Sequence, residues 1–267
     1  MKYSIITVNY NNREGLRKTI ESTIHQTFRD FEFIVIDGGS TDGSAEVLKE
    51  YDTQIDYWVS EPDGGIYQGM NKGIRKSQGD YLNFMNSGDS FYANDILEKV
   101  ASYQSQADFI VGRDYHFNPV SGLGHASIQP SRTTMVHFFM ATLDHQSSFI
   151  RRELFNGSPY DESHRLVSDW IFFVEKIIRD GKQVQFIPDI VCRREEGGLS
   201  QQQVERNRKE INEYLHHFLP QGVYEDYATL SKLDKTSLYR LFDILDNDKK
   251  RKWLVWSIKL IAKFLNR

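Results

Sequence analysis

The sequence predicts an α/β domain built on a mainly parallel sheet, and three observations carry that expectation. From Tyr3 to Met85, short β-branched and aromatic runs alternate with stretches of helical periodicity. The runs are almost continuously apolar, as strands buried on both faces require. Polar or glycine-rich clusters follow the first two runs directly, Asn9-Tyr10-Asn11-Asn12 and Gly38-Gly39-Ser40-Thr41-Asp42-Gly43, and ligands collect at the carboxyl ends of strands in such sheets.

Taken in order, Tyr3 to Val8 reads as the first strand and Glu14 to Gln26 as the first helix. Glu32 to Asp37 is a second strand, Ser44 to Tyr51 a helix, and Ile55 to Ser60 a third strand. Gly64 to Ser77 is a helix with Ile66, Met70 and Ile74 on one stripe, and Tyr81 to Met85 a fourth strand. Asp108 to Val111 is a strand, and Arg113 to Gln129 a Gly- and Pro-punctuated excursion with the character of a hairpin. Ser168 to Asp180 is a helix, with Trp170, Phe173, Val174, Ile177 and Ile178 at helical spacing, Ser168 as its N-cap and Gly181 as its stop. Two short strands are expected around Pro188, Val184 to Ile187 and Ile190 to Arg193, then a loop from Arg194 to Ser200 and helices to the end.

Composition narrows the function classes. A chain of 267 residues, 39% hydrophobic and 13% aromatic, buries one substantial core and is neither a repeat array nor disordered. The net charge of −4 argues against wholesale nucleic-acid binding. Cys192 is the only cysteine, so no intrachain disulfide and no multi-cysteine zinc cage can form, which fits a reducing cytoplasm. The first residues lack the pattern of a signal peptide. No segment approaches the roughly 20 apolar residues of a membrane span. A soluble or surface-bound protein is expected.

Four ordered motifs carry a family resemblance. They are Ser4-Ile5-Ile6-Thr7-Val8-Asn9-Tyr10-Asn11, Ile34-Val35-Ile36-Asp37 with its glycine-rich continuation to Gly43, Gly79 to Asp89, and Ser168-Asp169-Trp170. Their order and spacing resemble a family 2 glycosyltransferase over roughly Met1 to Ser200. The segment from Glu61 to Ile74, Glu-Pro-Asp-Gly-Gly-Ile-Tyr-Gln-Gly-Met-Asn-Lys-Gly-Ile, is similar to bacterial enzymes that build exopolysaccharide and O-antigen repeats. The resemblance implies the nucleotide-binding fold called GT-A and inverting transfer of a sugar from a nucleotide diphosphate to a glycan or lipid-linked acceptor.

It also implies roles for residues. Asp37, at a buried strand end before two glycines, corresponds to the family's base-contacting aspartate; the plain alternative is an Asx-turn acid holding the Gly38-Gly39 bend. Thr7 and Asn9 line the same pocket or cap the strand end. Asp89 ends the family's DxD-type motif and is the expected ligand for Mn²⁺ or Mg²⁺ brought with the donor diphosphate. Asn86 and Gly88 stand where many relatives carry aspartate, so an amide carbonyl and one carboxylate replace an acidic pair. Asp169 is the expected general base, with Ser168 in place of the acid that often precedes it; an acid in a first helical turn is the alternative. His145, in Asp144-His145-Gln146, is expected near the acceptor or in a structural role. Arg193, Arg194 and the loop Gly197-Gly198-Leu199-Ser200 are expected to close over the donor or to lie on the surface. Asp63, Asn71 and Lys72 belong to the narrower motif; Asp63 and Asn71 are expected with the donor, and the motif assigns Lys72 no role.

The expected organisation is a catalytic domain over residues 1–200, its donor half at 1–112 and its acceptor half at 113–200, with a helical extension over 201–267. Lys249 to Lys252 precede a broad apolar helix containing Trp253 and Trp256, which suits either a membrane surface or packing on the domain or a homodimer partner. A nicotinamide dehydrogenase would need a Gly-x-Gly-x-x-Gly turn after a strand, and none is present. A pyrophosphorylase would carry a glycine-rich, lysine-bearing loop after the first strand, where this chain has Asn9 to Arg13. The remaining competitor is a nucleotide-sugar-binding module that has lost catalysis.

Overall fold

A computed structural model describes residues 1–130, 132–157, 159–195, 203–233 and 235–265. By its contacts the chain forms two compact units, Met1–Gln129 with Thr142–Tyr214, and Pro130–Ala141 with Leu215–Arg267. The break falls after Tyr214 rather than at residue 200, and the second unit takes in a segment from the middle of the chain.

The first unit holds a nine-stranded sheet among the described residues. Its first half is Rossmann-like: β1 (Tyr3–Asn9), β2 (Phe31–Asp37), β3 (Tyr57–Ser60) and β4 (Tyr81–Phe84) pair in parallel in the order β3-β2-β1-β4. Every residue of β1 and β4 is buried, as the apolar runs require. Helices α1 (Arg13–Ile24), α2 (Ser44–Glu50) and α3 (Ile66–Lys76) make the crossovers. Asn12 caps α1 by accepting from Gly15 N at 3.2 Å. Helix α3 lies close on β1: a Cβ at Gly69 would sit 2.7 Å from Val8 Cγ1, and one at Gly73 2.4 Å from Ile6 Cγ2. Both glycines face the sheet because they are one turn apart.

The second half is mixed. After β5 (Ser90–Phe91) and α4 (Ile96–Ser102) come β6 (Phe109–Phe117), β7 (Gly124–Ala126), β8 (Ser148–Arg151) and β9 (Val184–Glu195). Strand β8 runs antiparallel between β4 and β6, β9 pairs in parallel with β6, and β5 closes the edge antiparallel to β9. The hairpin expected within residues 113–129 is formed by β6 and β7. The two strands expected around Pro188 are instead one strand: the β6–β9 register shifts between Val111 and Asp114, and that irregularity accommodates the proline. Helix α6 (Ser168–Phe173) continues as a π-helical turn over Val174–Arg179. Ser168 is its first residue rather than its cap, and Val167 stands at the cap position without a side-chain bond.

The core joins both halves of the sheet through rings. Tyr3 packs on Phe149, Phe28 and Tyr81, while Phe155 stacks on Phe172 at 4.4 Å. Helix α7 (Val204–Phe218) carries the chain across the break, followed by α8 (Gln221–Leu230), α9 (Lys235–Asp246) and α10 (Asp248–Leu265). In the second unit α5 (Met135–Met140) sets Phe139 against Tyr224 and Tyr227 of α8. No helix among the described residues is long and apolar enough to cross a membrane.

Candidate functional site

Parallel pairing sets Asn9 opposite Asp37 at the carboxyl ends of β1 and β2. Asp37 is fully buried and its two oxygens accept from Asn9 Nδ2 (2.7 Å), Ser40 Oγ (2.5 Å), Ser40 N (3.0 Å) and Ser60 Oγ (2.6 Å). These contacts are those of a turn-holding aspartate. Thr7 is buried and donates to Met85 O at 2.7 Å, so it ties β1 to the end of β4 and does not line an open pocket. Asp63 presents the more open carboxylate. It is partly exposed, accepts from Gly65 N at 3.0 Å, and its carboxylate faces Gly38, where a Cβ would be 3.1 Å from both oxygens. Asn71 is 2% exposed and its amide bonds Tyr160 O, Tyr160 N and Glu162, which fastens α3 to the segment before α6. Lys72 pairs with Glu61 at 2.9 Å.

A second group forms where β4 delivers Asn86 to Asp89. Thr19 of α1 holds this loop, donating to Asp89 O at 2.5 Å and accepting from Gly88 N at 3.0 Å. Asp89 Oδ2 accepts from Gln146 Nε2 at 2.9 Å. Burial pushes the Asp89 carboxyl above its ordinary range, against opposing pulls from Gln146, Arg194 and His145. Beside it opens a cavity of about 490 Å³ lined by residues that include Asn12, Lys18, Ser87, Gly88 and Glu195.

Asp169, at the start of α6, is the centre of a third group. Its Oδ1 accepts from Tyr67 Oη at 2.7 Å and its Oδ2 from His145 Nδ1 at 2.8 Å. His145 Nε2 lies 3.0 Å from Asn86 Nδ2. With that amide nitrogen donating, the ring proton sits on Nδ1 and points at Asp169. The His145 and Asp169 side chains are 14% and 13% exposed. Burial raises the Asp169 carboxyl, but the hydrogen bonds from His145 and the Tyr67 hydroxyl outweigh it and hold the group below its ordinary range. Burial and Asp169 together push the Tyr67 hydroxyl well up, so it remains a neutral donor.

Adjacent side chains therefore serve different acids: His145 turns to Asp169 and Gln146 to Asp89. Asp144 completes the segment by pairing with Arg194 Nη2 at 3.1 Å, and Arg194 Nε lies 3.6 Å from the buried Asp114. Arg193 faces away, over the Phe117 ring at 4.2 Å, as alternation along a strand demands. Of the two expected arginines, only Arg194 joins the acidic cluster. Ser200 and the loop around it lie outside the described residues. Two residues of the site, Tyr67 and Asp114, are not marked as functional by the sequence; Tyr67 sits inside the Glu61–Ile74 motif, whereas nothing local signals Asp114.

Among the described residues, two places could hold a divalent cation. Asp114, His116 and Asp144 bring ligand atoms within 4.8 Å of one another, but the Arg194 guanidinium already sits against both carboxylates. Its positive charge opposes a second cation there. Asp89 has a single neutral amide on one oxygen and the cavity beside it, which suits an ion whose other ligands come with a diphosphate.

A parallel first half, a mixed second half and acids gathered at their junction match the architecture of the GT-A class of transferase. Known proteins agree with that reading. Residues 4–178 match the model of "Glycosyl transferase family 2", and the chain belongs to that family. It is similar to an uncharacterized glycosyltransferase of Mycobacterium tuberculosis, 43% identical over 95 residues, which are 35% of this chain and 36% of that relative. The match thus spans little more than a third of that relative's length. It is also similar to the PGL/p-HBAD biosynthesis glycosyltransferase of Mycobacterium bovis, 28% identical over 206 residues, 74% of this chain and 78% of that protein. Among solved structures, Staphylococcus aureus TarS 1–349 in complex with UDP aligns with a TM-score of 0.62 at 18% identity, covering 73% of this chain and 60% of that one. The mannosyltransferase PcManGT of Pyrobaculum calidifontis, in complex with GDP-Man and Mn²⁺, aligns at 0.59 and 15% identity, covering 99% and 86%. These structures establish the fold.

Proposed function

We propose that this glycosyltransferase carries out single-displacement, inverting transfer from a nucleoside-diphosphate sugar to a hydroxyl of a glycan or lipid-linked acceptor, in the synthesis of cell-surface polysaccharide or glycolipid. The observation that carries the reading is the Asp169 carboxylate, ionised, shielded and aimed by two donors from residues distant in sequence. Direct displacement at an anomeric carbon needs a carboxylate to take the acceptor proton on the face opposite the leaving group, and Asp169 is that base. His145 fixes its orientation, and Asn86 fixes the tautomer of His145. The donor half is assigned to residues 1–112 and the acceptor half to 113–200, on the cytoplasmic side of the cell envelope.

A nucleotide-sugar donor is supported by the family and by the UDP, UDP-GlcNAc and GDP-Man held by proteins of the same fold. Asp63, whose accessible carboxylate faces Gly38, is the candidate partner for a base N–H or ribose hydroxyl, with Asp37 and Asn9 shaping the loop behind it. Asp89 would hold Mn²⁺ or Mg²⁺, with the Asn86–Asp89 loop presenting it to the diphosphate; when bound, the ion neutralises charge developing on the leaving group. Arg194, released from Asp144, is the residue that could reach a phosphate.

The test is Asp169→Asn, which keeps shape and removes basicity. Turnover should fall by on the order of 10²–10⁴ while donor affinity changes little. Near-normal turnover, or a product that keeps the donor's anomeric configuration by NMR, would overturn the mechanism.

A further inference from the structure

The second unit carries a surface that the transfer reaction does not use. Helix α10 packs against α9, and Leu254 and Ser257, three residues apart, are partly buried among its described side chains. The side away from that seat is unusual: Trp253 is 65% exposed and Trp256 59%. Lys249, Lys252, Trp253, Trp256 and Lys259 follow one another at steps of three, one, three and three residues, which sets them along one face of a helix. All three lysines are exposed. Val255, 45% exposed and four residues before Lys259, borders this face. Arg251 is engaged by Asp248, the acid of the first turn, so the lysines set the charge of this face.

We propose that this tryptophan–lysine face of α10 is a docking surface for the anionic headgroup layer of a lipid bilayer. The composition selects the occupant. Two indoles offer apolar bodies with a polar N–H, which suits the headgroup boundary. Lysines spaced among them lay their methylene stems along that boundary while the ammonium groups meet phosphate. A protein partner would be expected to select against lysine at the centre of its contact. The whole chain's charge of −4 makes the positive charge of this helix local, which disfavours nucleic acid as the occupant. Attachment is peripheral, because no helix among the described residues spans a membrane.

The test uses the full chain in flotation with two vesicle preparations, phosphatidylcholine alone and phosphatidylcholine mixed with phosphatidylglycerol, at low and high salt. The wild-type protein should float with the anionic vesicles at low salt, release at high salt and ignore the neutral ones. Lys249→Glu with Lys252→Glu and Lys259→Glu should lower partitioning roughly a hundredfold or more, from the contribution of each basic residue near an anionic surface. Trp253→Ala with Trp256→Ala should weaken binding without removing its salt dependence. Vesicle composition and salt test the wild-type protein even if a variant misfolds. Equal binding to both preparations, no binding to either, or a tryptophan variant that changes oligomeric state in light scattering while floating normally, would overturn the proposal.

Discussion

Replacing His145 with alanine takes one of two side-chain donors from the Asp169 carboxylate and leaves Asn86 without its ring partner. The lost bond is 2.8 Å long, nearly shielded from water and made to a charged acceptor, a class worth about 1.5–3 kcal/mol. If that interaction holds the base in position, kcat should fall roughly 10- to 100-fold at neutral pH. KM for the donor should change little, because His145 is bonded to Asp169 and Asn86. A second readout needs no substrate. The folded Asp169 carboxyl lies below its unfolded value, so its interactions stabilise the fold above the ordinary carboxylate range, and that stabilisation is lost as pH falls through the folded pKa. In His145→Ala the largest opposing pull is gone while burial remains, so the folded pKa rises. The acid limb of the kcat–pH profile should move to higher pH, and the acid-side loss of Tm should become smaller. His145→Asn, whose amide can donate to the same oxygen, should recover part of both effects. A His145→Ala enzyme with wild-type kcat and an unmoved acid limb would refute the reasoning.

Asp89→Ala should abolish any tightening of donor binding by Mn²⁺ while leaving metal-free binding within a few fold, as read by calorimetry; unchanged metal dependence removes Asp89 from the site. Tyr67→Phe removes the other donor to Asp169 and should reduce kcat less than Asp169→Asn, with a shift of the acid limb in the same direction as His145→Ala. Gly73→Ala would put a methyl 2.4 Å from Ile6 Cγ2, and such overpacking should cost about 1–3 kcal/mol in denaturant unfolding; an unchanged midpoint would mean that α3 is not seated as described.

The parallel half was legible in sequence because its signals are local: continuous apolar runs for β1, β2 and β4, and glycine-rich turns at their ends. Motif spacing singles out Asp89 and Asp169, and the structure brings both to the Asp144–Gln146 segment. What was hidden depends on distant pairing. Tyr67 meets Asp169 across 102 positions and Asn71 meets Tyr160 across 89, so nothing local could show that one aims an acid and the other clamps a loop. Arg193 and Arg194 look alike in a row, yet strand alternation sends them to opposite faces. Asp37 reads as a base-contacting or a turn-holding acid, and its side-chain donors Asn9, Ser40 and Ser60 are hidden from that reading because they lie on three different segments. Val184–Glu195 reads as two strands because Pro188 breaks a pattern that extra residues of β9, looped out at the register shift against β6, accommodate.

One short turn, His145–Ser147, has a consequence for how this enzyme can change. Because neighbouring side chains there reach the proposed base and the proposed diphosphate anchor, inserting or deleting one residue would uncouple both at once. Diversification by loop-length variation is therefore closed at this turn and must occur elsewhere, as in the β6–β7 hairpin. A chimera that exchanges the whole turn, with the residues at 86 and 169 as one block, should tolerate transplantation better than one that exchanges any of its positions singly.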